Sequence, residues 1–117
     1  MSRRVVAAVN NLFFVGKMEA AARQAAVELR FASSPGDLLE KVRAGAELVV
    51  FDLGDETIGA IAALKELKSR AETAAVPTLG FLRHTQPGIA ALAREAGCET
   101  VMARSEFSAR IVDLLRG

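Results

Sequence analysis

Short apolar runs alternate with stretches of helical period along the chain. Arg4 to Val9 is apolar after its first residue and has strand length. Phe14, Met18, Ala21, Ala22 and Ala25 then recur at helical spacing and share one face. Val27 to Phe31 predicts a second strand. Ser34-Pro35-Gly36-Asp37 reads as a helix start, with a serine cap, proline at the first helical position and an acid at the third. Leu38, Leu39 and Val42 supply that helix's apolar side, and Gly45 ends it.

The run Glu47-Leu48-Val49-Val50-Phe51-Asp52 predicts a third strand, buried on both faces and ending in a carboxylate. Ile58, Ile61, Ala62, Leu64 and Leu67 mark the next helix, with Lys65, Lys68 and Arg70 assigned to its far side. Val76 to Leu82 is a fourth strand, opened by Pro77, which a strand tolerates at its first residue. Ile89, Leu92, Ala93 and Ala96 give a short helix closed by Gly97. Thr100 to Ala103 is a fifth strand. Ser105 is expected to cap a last helix carrying Phe107, Ile111, Leu114 and Leu115.

Five strands each followed by a helix predict an α/β chain with a parallel sheet, right-handed crossovers and helices on both faces. Residues 1–117 are read as one domain, a doubly wound, flavodoxin-like sheet of order 2-1-3-4-5. Ligands of such sheets lie past the carboxyl ends of the strands, where the order switches. That confines the search for chemistry to Val9, Asn10 and Asn11, to Asp52 through Asp55, and to the ends of the fourth and fifth strands.

Composition narrows the function classes. Of 117 residues, 51% are hydrophobic and 25% charged, as in soluble globular proteins. Fifteen Lys and Arg against 14 Asp and Glu leave a formal charge of +1, with no basic surplus for nucleic acid. Cys98 is the single cysteine, so no internal disulfide forms and a reducing, cytoplasmic setting is expected. The basic start Met1-Ser2-Arg3-Arg4 precedes an apolar run that stops at Asn10, too short to span a membrane. Trp and Tyr are absent, which removes large aromatic binding platforms. The turn after the first strand, Asn10-Asn11-Leu12-Phe13, is not glycine-rich, so neither a dinucleotide nor a flavin site is expected, and no cofactor is assigned.

On Asp52 ending the third strand, Pro77 opening the fourth and Ala96-Gly97 before the fifth, the chain resembles the CheY-like receiver domains of two-component response regulators. The resemblance runs over nearly the whole length. It implies that the aspartate matching Asp52 accepts a phosphoryl group, with magnesium held by an acidic pair after the first strand. It also implies a Thr or Ser at the end of the fourth strand, a Lys after the fifth, and an aromatic residue three positions before that Lys. This chain departs from the pattern at most of these positions. The acidic pair matches Val9-Asn10 or Asn10-Asn11, the hydroxyl position is Leu82, the lysine is Arg104, the proline after it is Ser105 and the aromatic is Val101. Magnesium prefers anionic oxygens and dehydrates reluctantly, so two neutral residues in place of two carboxylates remove most of the site's charge. Phosphoryl transfer rests on positioning and electrostatics, and loses its catalysis with them.

Each candidate residue has two readings. Asp52 is a phosphoacceptor or a carboxylate locked to Arg104 in a bidentate pair, and the pair is preferred. Asp55 and Glu56 either rebuild a metal site with Asp52 or, as preferred, favour the amino end of the next helix. His84, the single histidine, is a surface residue or a pH-sensitive anion contact on the crevice rim. Arg104 and Ser105 form an anion cradle or a salt bridge with a helix cap. Cys98 reads as a small buried residue. Phe13 cannot join Phe14 on the core face, which leaves it toward the crevice or a partner. Gly80 inside a strand signals close packing or a gap.

Three functions follow from these readings. The preferred one is a degenerate receiver, or pseudo-receiver, that signals by binding a protein partner and is compatible with a homodimer. Receivers generally use the fourth helix, fifth strand and fifth helix for this, and here that face includes Arg94, Glu95, Glu99, Arg104, Glu106 and Arg110. The rival is a phosphorylatable receiver with a relaxed metal site of Asp52, Asp55 and Asn10. The third is a small-anion or nucleotide sensor using Arg83, His84, Arg104 and Ser105. No constellation for hydrolytic or redox catalysis is present, and neither nucleic acid nor membrane is an expected partner.

Overall fold

A computed structural model describes residues 2–83 and 85–117. The strands are β1 (Arg4–Ala8), β2 (Glu28–Phe31), β3 (Leu48–Asp52), β4 (Thr78–Leu82) and β5 (Thr100–Ala103). The helices are α1 (Leu12–Ala25), α2 (Pro35–Arg43), α3 (Ala60–Ser69), α4 (Pro87–Glu95) and α5 (Arg104–Arg116). All four strand pairings are parallel and the order is β2-β1-β3-β4-β5, as the alternation predicts.

Alternation along the buried strands divides the core into two layers. Val6, Val49, Phe51 and Leu82 face α2, α3 and α4. Val5, Ala7, Val50, Leu79 and Phe81 face α1 and α5, where Phe14, Met18, Phe107, Ile111 and Leu115 close over them. Phe81 and Phe107 stack there, with centroids 4.4 Å apart and planes 9° apart. Every residue of β3 is buried, because helices cover both faces of the central strand.

The helix starts obey local chemistry. The Asn11 side chain caps α1 by accepting from the amides of Phe13 and Phe14, at 3.0 and 3.3 Å. Ser34 accepts from the Asp37 amide at 3.0 Å, while Asp37 accepts from the Ser33 amide at 2.8 Å and from Lys41 at 2.5 Å. These bonds, led by that from Lys41, pull the Asp37 carboxyl down to about 2.

Several expectations need correction. Val9 is buried beyond the last paired residue of β1, and Val27 precedes the first of β2. The ladder of β4 begins at Thr78; Pro77 stands one place earlier, and its carbonyl accepts from the Val49 amide at 2.9 Å. A 3₁₀ turn, Glu56–Ile58, absorbs Ile58, and Gly59 at φ +65° lets the chain turn into α3. In α3 the buried alanines are Ala60 and Ala63, and Ala62 is exposed. In α4 only Ala93 is buried, and Leu92 is exposed. Ser105 does not cap α5: Ala103 holds the cap position and no side-chain bond is made there.

Lys68 departs most from its expected place. Its ammonium leaves the solvent side of α3 and donates to the carbonyls of Ala74 and Val76, at 3.1 and 2.9 Å, and to Glu99 at 2.5 Å. Glu99 also accepts from the Thr78 amide at 2.7 Å and from its hydroxyl. The network ties α3 to the starts of β4 and β5, and it makes a long flexible amine a half-buried staple.

Candidate functional site

The carboxyl ends of the strands enclose a crevice of about 630 Å³. It is lined by Asn10 and Asn11 after β1, by Asp52, Asp55 and Glu56 at the end of β3, and by Arg83, Gln86 and Arg104 after β4 and β5. A smaller cavity of about 320 Å³ opens at the other end of the strands. Four of the charges that line it are paired with one another, Arg4 at 3.0 Å from Glu28 and Lys41 at 2.5 Å from Asp37.

Asp52 follows the same alternation as Leu48 and Val50, so its side chain lies on the α1–α5 side of the sheet. It is only 6% exposed, and one oxygen, Oδ1, accepts the Gly54 amide at 3.2 Å. Burial pushes its carboxyl above the ordinary aspartate range, opposed by the Gly54 amide and by the positive charge of Arg104. Gly54 is held close on the other side too: a Cβ there would meet Gln86 Oε1 at 3.1 Å.

The expected bidentate pair of Asp52 with Arg104 is absent. Among the described residues no carboxylate oxygen lies within 4.0 Å of Arg104. Its guanidinium instead lies over the Phe14 ring, 4.8 Å from the centroid. The planar cation finds an aromatic face on the adjoining helix, a seat open to Arg by its shape and weak hydration. The two side chains thus share one crevice without a bond.

The other candidates fall into place by their local bonds. Asp55 caps the 3₁₀ turn, accepting from the Thr57 amide at 3.0 Å and its hydroxyl at 2.5 Å, which matches the preferred reading. Asn11 spends its side-chain oxygen on the cap of α1. Leu82 turns into the α2–α4 layer and does not line the crevice, and Ser105 is exposed on the first turn of α5. His84 lies outside the described residues. Cys98 is buried, and burial raises its thiol. Gly80 is a close-packing position: a Cβ there would stand 2.4 Å from Leu53 Cδ1.

Sequence reading missed Gln86 as a crevice residue and Phe14 as the seat of Arg104. Gln86 stands directly before Pro87 at the α4 cap, a turn signal that places it at the strand ends. The seating of Arg104 on Phe14 has no sequence signal, since the two are brought together only by packing of α1 on α5.

Magnesium does not fit this donor set. Among the described residues no three Asp, Glu, His or Cys side chains cluster as ligands. The side chains after β1 are neutral amides, and the Asn11 oxygen and Asp55 Oδ1 are already hydrogen-bonded. The acids of the crevice, Asp52, Asp55 and Glu56, all follow β3, and no carboxylate stands after β1 to complete a site in which a hard cation would shed its water.

No protein-family model matches the sequence, and no curated protein matches it. Solved structures match the fold closely. A response regulator from Hahella chejuensis superposes with a TM-score of 0.84 at 16% identity, over 97% of this chain and 92% of that one. The receiver domain of sensor histidine kinase PA1611 from Pseudomonas aeruginosa PAO1, solved with magnesium in its active-site cleft, gives 0.83 at 13% identity, over 99% and 96%. A response regulator receiver domain from Rhodospirillum rubrum gives 0.77 at 19% identity, over 97% and 91%. The chain therefore has the CheY-like receiver fold. Among its described residues no helix is long and apolar enough to cross a membrane.

Proposed function

We propose that this chain is an atypical receiver-like signalling domain that acts through protein–protein contacts and does not use magnesium-dependent phosphoryl transfer at Asp52. The observation that carries this reading is the setting of Asp52: a buried carboxylate in a crevice with neutral Asn10 and Asn11, with Arg104 turned onto Phe14. A phosphoryl donor would bring negative charge to Asp52 with no metal site to offset it. Leu82 offers no hydroxyl for the phosphoryl oxygens.

The proposed surface for a signalling partner is the α4–β5–α5 face. Leu92 is 52% exposed there, beside the exposed charges Arg94 and Glu95. Glu106 and Arg110 pair with each other at 2.6 Å, and Glu99 is held by Lys68 and Thr78, so those three serve the fold first.

Incubation with acetyl phosphate and magnesium, followed by intact-mass measurement, tests the reading. The expected result is unmodified protein. An adduct that disappears in Asp52→Asn overturns the proposal and restores the phosphorylatable receiver built on Asp52, Asp55 and Asn10.

A further inference from the structure

Asp52 is, among the described residues, the one charged side chain that is buried. Its polar company in the core, Thr73 and Thr78, is hydrogen-bonded through both hydroxyls. An exposed charge is solvated by water and needs no partner, whereas a buried carboxylate must take its bonds from what lies beside it. Oδ1 of Asp52 has the Gly54 amide. Oδ2 accepts no bond from the described residues, and it is not sealed, because no sealed side-chain oxygen among them lacks a partner. It opens on the crevice that Asp52 lines, so any further donor reaches it from there.

Arg104, half-buried in the same crevice, has the opposite need. Its guanidinium rests on the Phe14 ring. Among the described residues no acid lies within 4.0 Å of it, and none of its guanidinium N–H groups meets an acceptor. The turn of α5 that carries it has no side-chain cap, so the first amides of that helix are open as well. Asp52 lacks donors and Arg104 lacks acceptors, yet with Arg104 seated on Phe14 the two do not serve each other.

We infer that the crevice binds a small zwitterion of the α-amino acid type, its ammonium on Asp52 and its carboxylate on Arg104. A cation alone would meet Arg83 and Arg104, and an anion alone would meet Asp52, Asp55 and Glu56. A ligand of one sign is therefore opposed by part of the lining, and a dipolar one is not. The lining also gives the dipole a direction, since the acids stand at and after the end of β3 and the arginines after β4 and β5. An ammonium donates to a carboxylate, and a guanidinium takes a carboxylate in a two-bond fork. About 630 Å³ is room enough for such a molecule. The inference deepens the proposed function and rests on it, because it gives a domain that does not use phosphoryl transfer a ligand as its input.

Two charge-assisted contacts in a water-filled crevice make weak binding, with half-saturation on the order of 10 mM. Glycine, which carries both groups and little else, is the probe. It is titrated to about 100 mM into isotope-labelled protein while the amides of Gly54 and Arg104 are followed. Saturable shifts at both are expected, with acetate and methylammonium each binding at least about tenfold more weakly. Asp52→Asn and Arg104→Met should each weaken glycine about tenfold, and Arg104→Lys, which keeps the charge without the fork, should fall between. The amide spectrum of each variant shows whether it is folded, and the comparison of the three probes on wild type stands without any variant. Glycine without saturable shifts overturns the inference. So does acetate or methylammonium binding as tightly as glycine, or glycine binding unchanged in folded Asp52→Asn. Magnesium with beryllofluoride, titrated separately, reads the proposed function: shifts lost in Asp52→Asn overturn that function, whereas silence there together with silence toward glycine removes the zwitterion site alone.

Discussion

Arg104 lies over the ring of Phe14, 4.8 Å from its centroid, although Asp52 stands in the same crevice and has no basic group within 4.0 Å among the described residues. A carboxylate and a guanidinium side by side usually pair. Here an aromatic face contributed by α1 takes the cation, and the buried acid keeps only the Gly54 amide. The chemistry of the crevice turns on this separation.

If Arg104 is seated on Phe14, its removal costs a cation–π contact and some packing. Arg104→Met should lower the unfolding free energy by about 0.5–1 kcal/mol. In Asp52→Asn the same substitution should cost nearly as much, since the two side chains do not pair. A double-mutant cycle by urea unfolding measures this. A coupling above about 1.5 kcal/mol would reinstate the Asp52–Arg104 lock.

The pH dependence of stability carries a sign. Burial raises the folded-state pKa of Asp52 above its unfolded value, so the folded chain holds that proton more tightly. The stability from Asp52 is fully present below the unfolded value and is lost as pH rises through the raised folded one. Asp52→Asn keeps an acceptor for the Gly54 amide without charge. It should therefore exceed wild type in stability at neutral pH, with the difference closing as pH falls below the ordinary aspartate range. A difference independent of pH would contradict the burial argument. Asp37 should behave oppositely: its carboxyl titrates near pH 2, and the stability from its bonds to Lys41 and Ser33 fades as pH falls through that value.

Gly80→Ala tests the packing of the strand that backs the site. The added methyl would fall 2.4 Å from Leu53 Cδ1, inside a filled core layer. Strain of this kind costs about 1–3 kcal/mol, readable as a lowered urea midpoint. Unchanged stability would mean that Leu53 has another rotamer available.

Lys68→Met should be costly for an apparently ordinary helix lysine. Two carbonyls and Glu99 would be left without a charged donor, at a cost of about 1–3 kcal/mol. Lys65→Met, at an exposed position on the same helix, is the control and should change little. Equal effects at the two positions would place Lys68 in solvent.

The sheet was legible in the sequence because its strands are short apolar runs divided by helical period, and the caps at Ser34 and Gly97 are written in local residue types. The position of Asp52 followed from the same logic, since parallel strands deliver their last residue to the crevice. Phe13 was legible by elimination from the core face. Arg104 and Lys68 were not. Both have long side chains with several reachable partners, and the partner taken depends on the packing of α1 on α5 and on where the loop after α3 leaves its carbonyls. Ser105 misled for a related reason: a serine near a helix start suggests a cap, but the helix begins one residue earlier, at Arg104.

The most direct measurement is a titration of isotope-labelled protein with magnesium and then beryllofluoride, following backbone amides, with Asp52→Asn as control. An atypical receiver predicts no saturable shifts around Gly54, Arg83 and Arg104 in either protein. Saturable shifts there, present in wild type and lost in Asp52→Asn, would contradict that reading and make Asp52 a working phosphoacceptor.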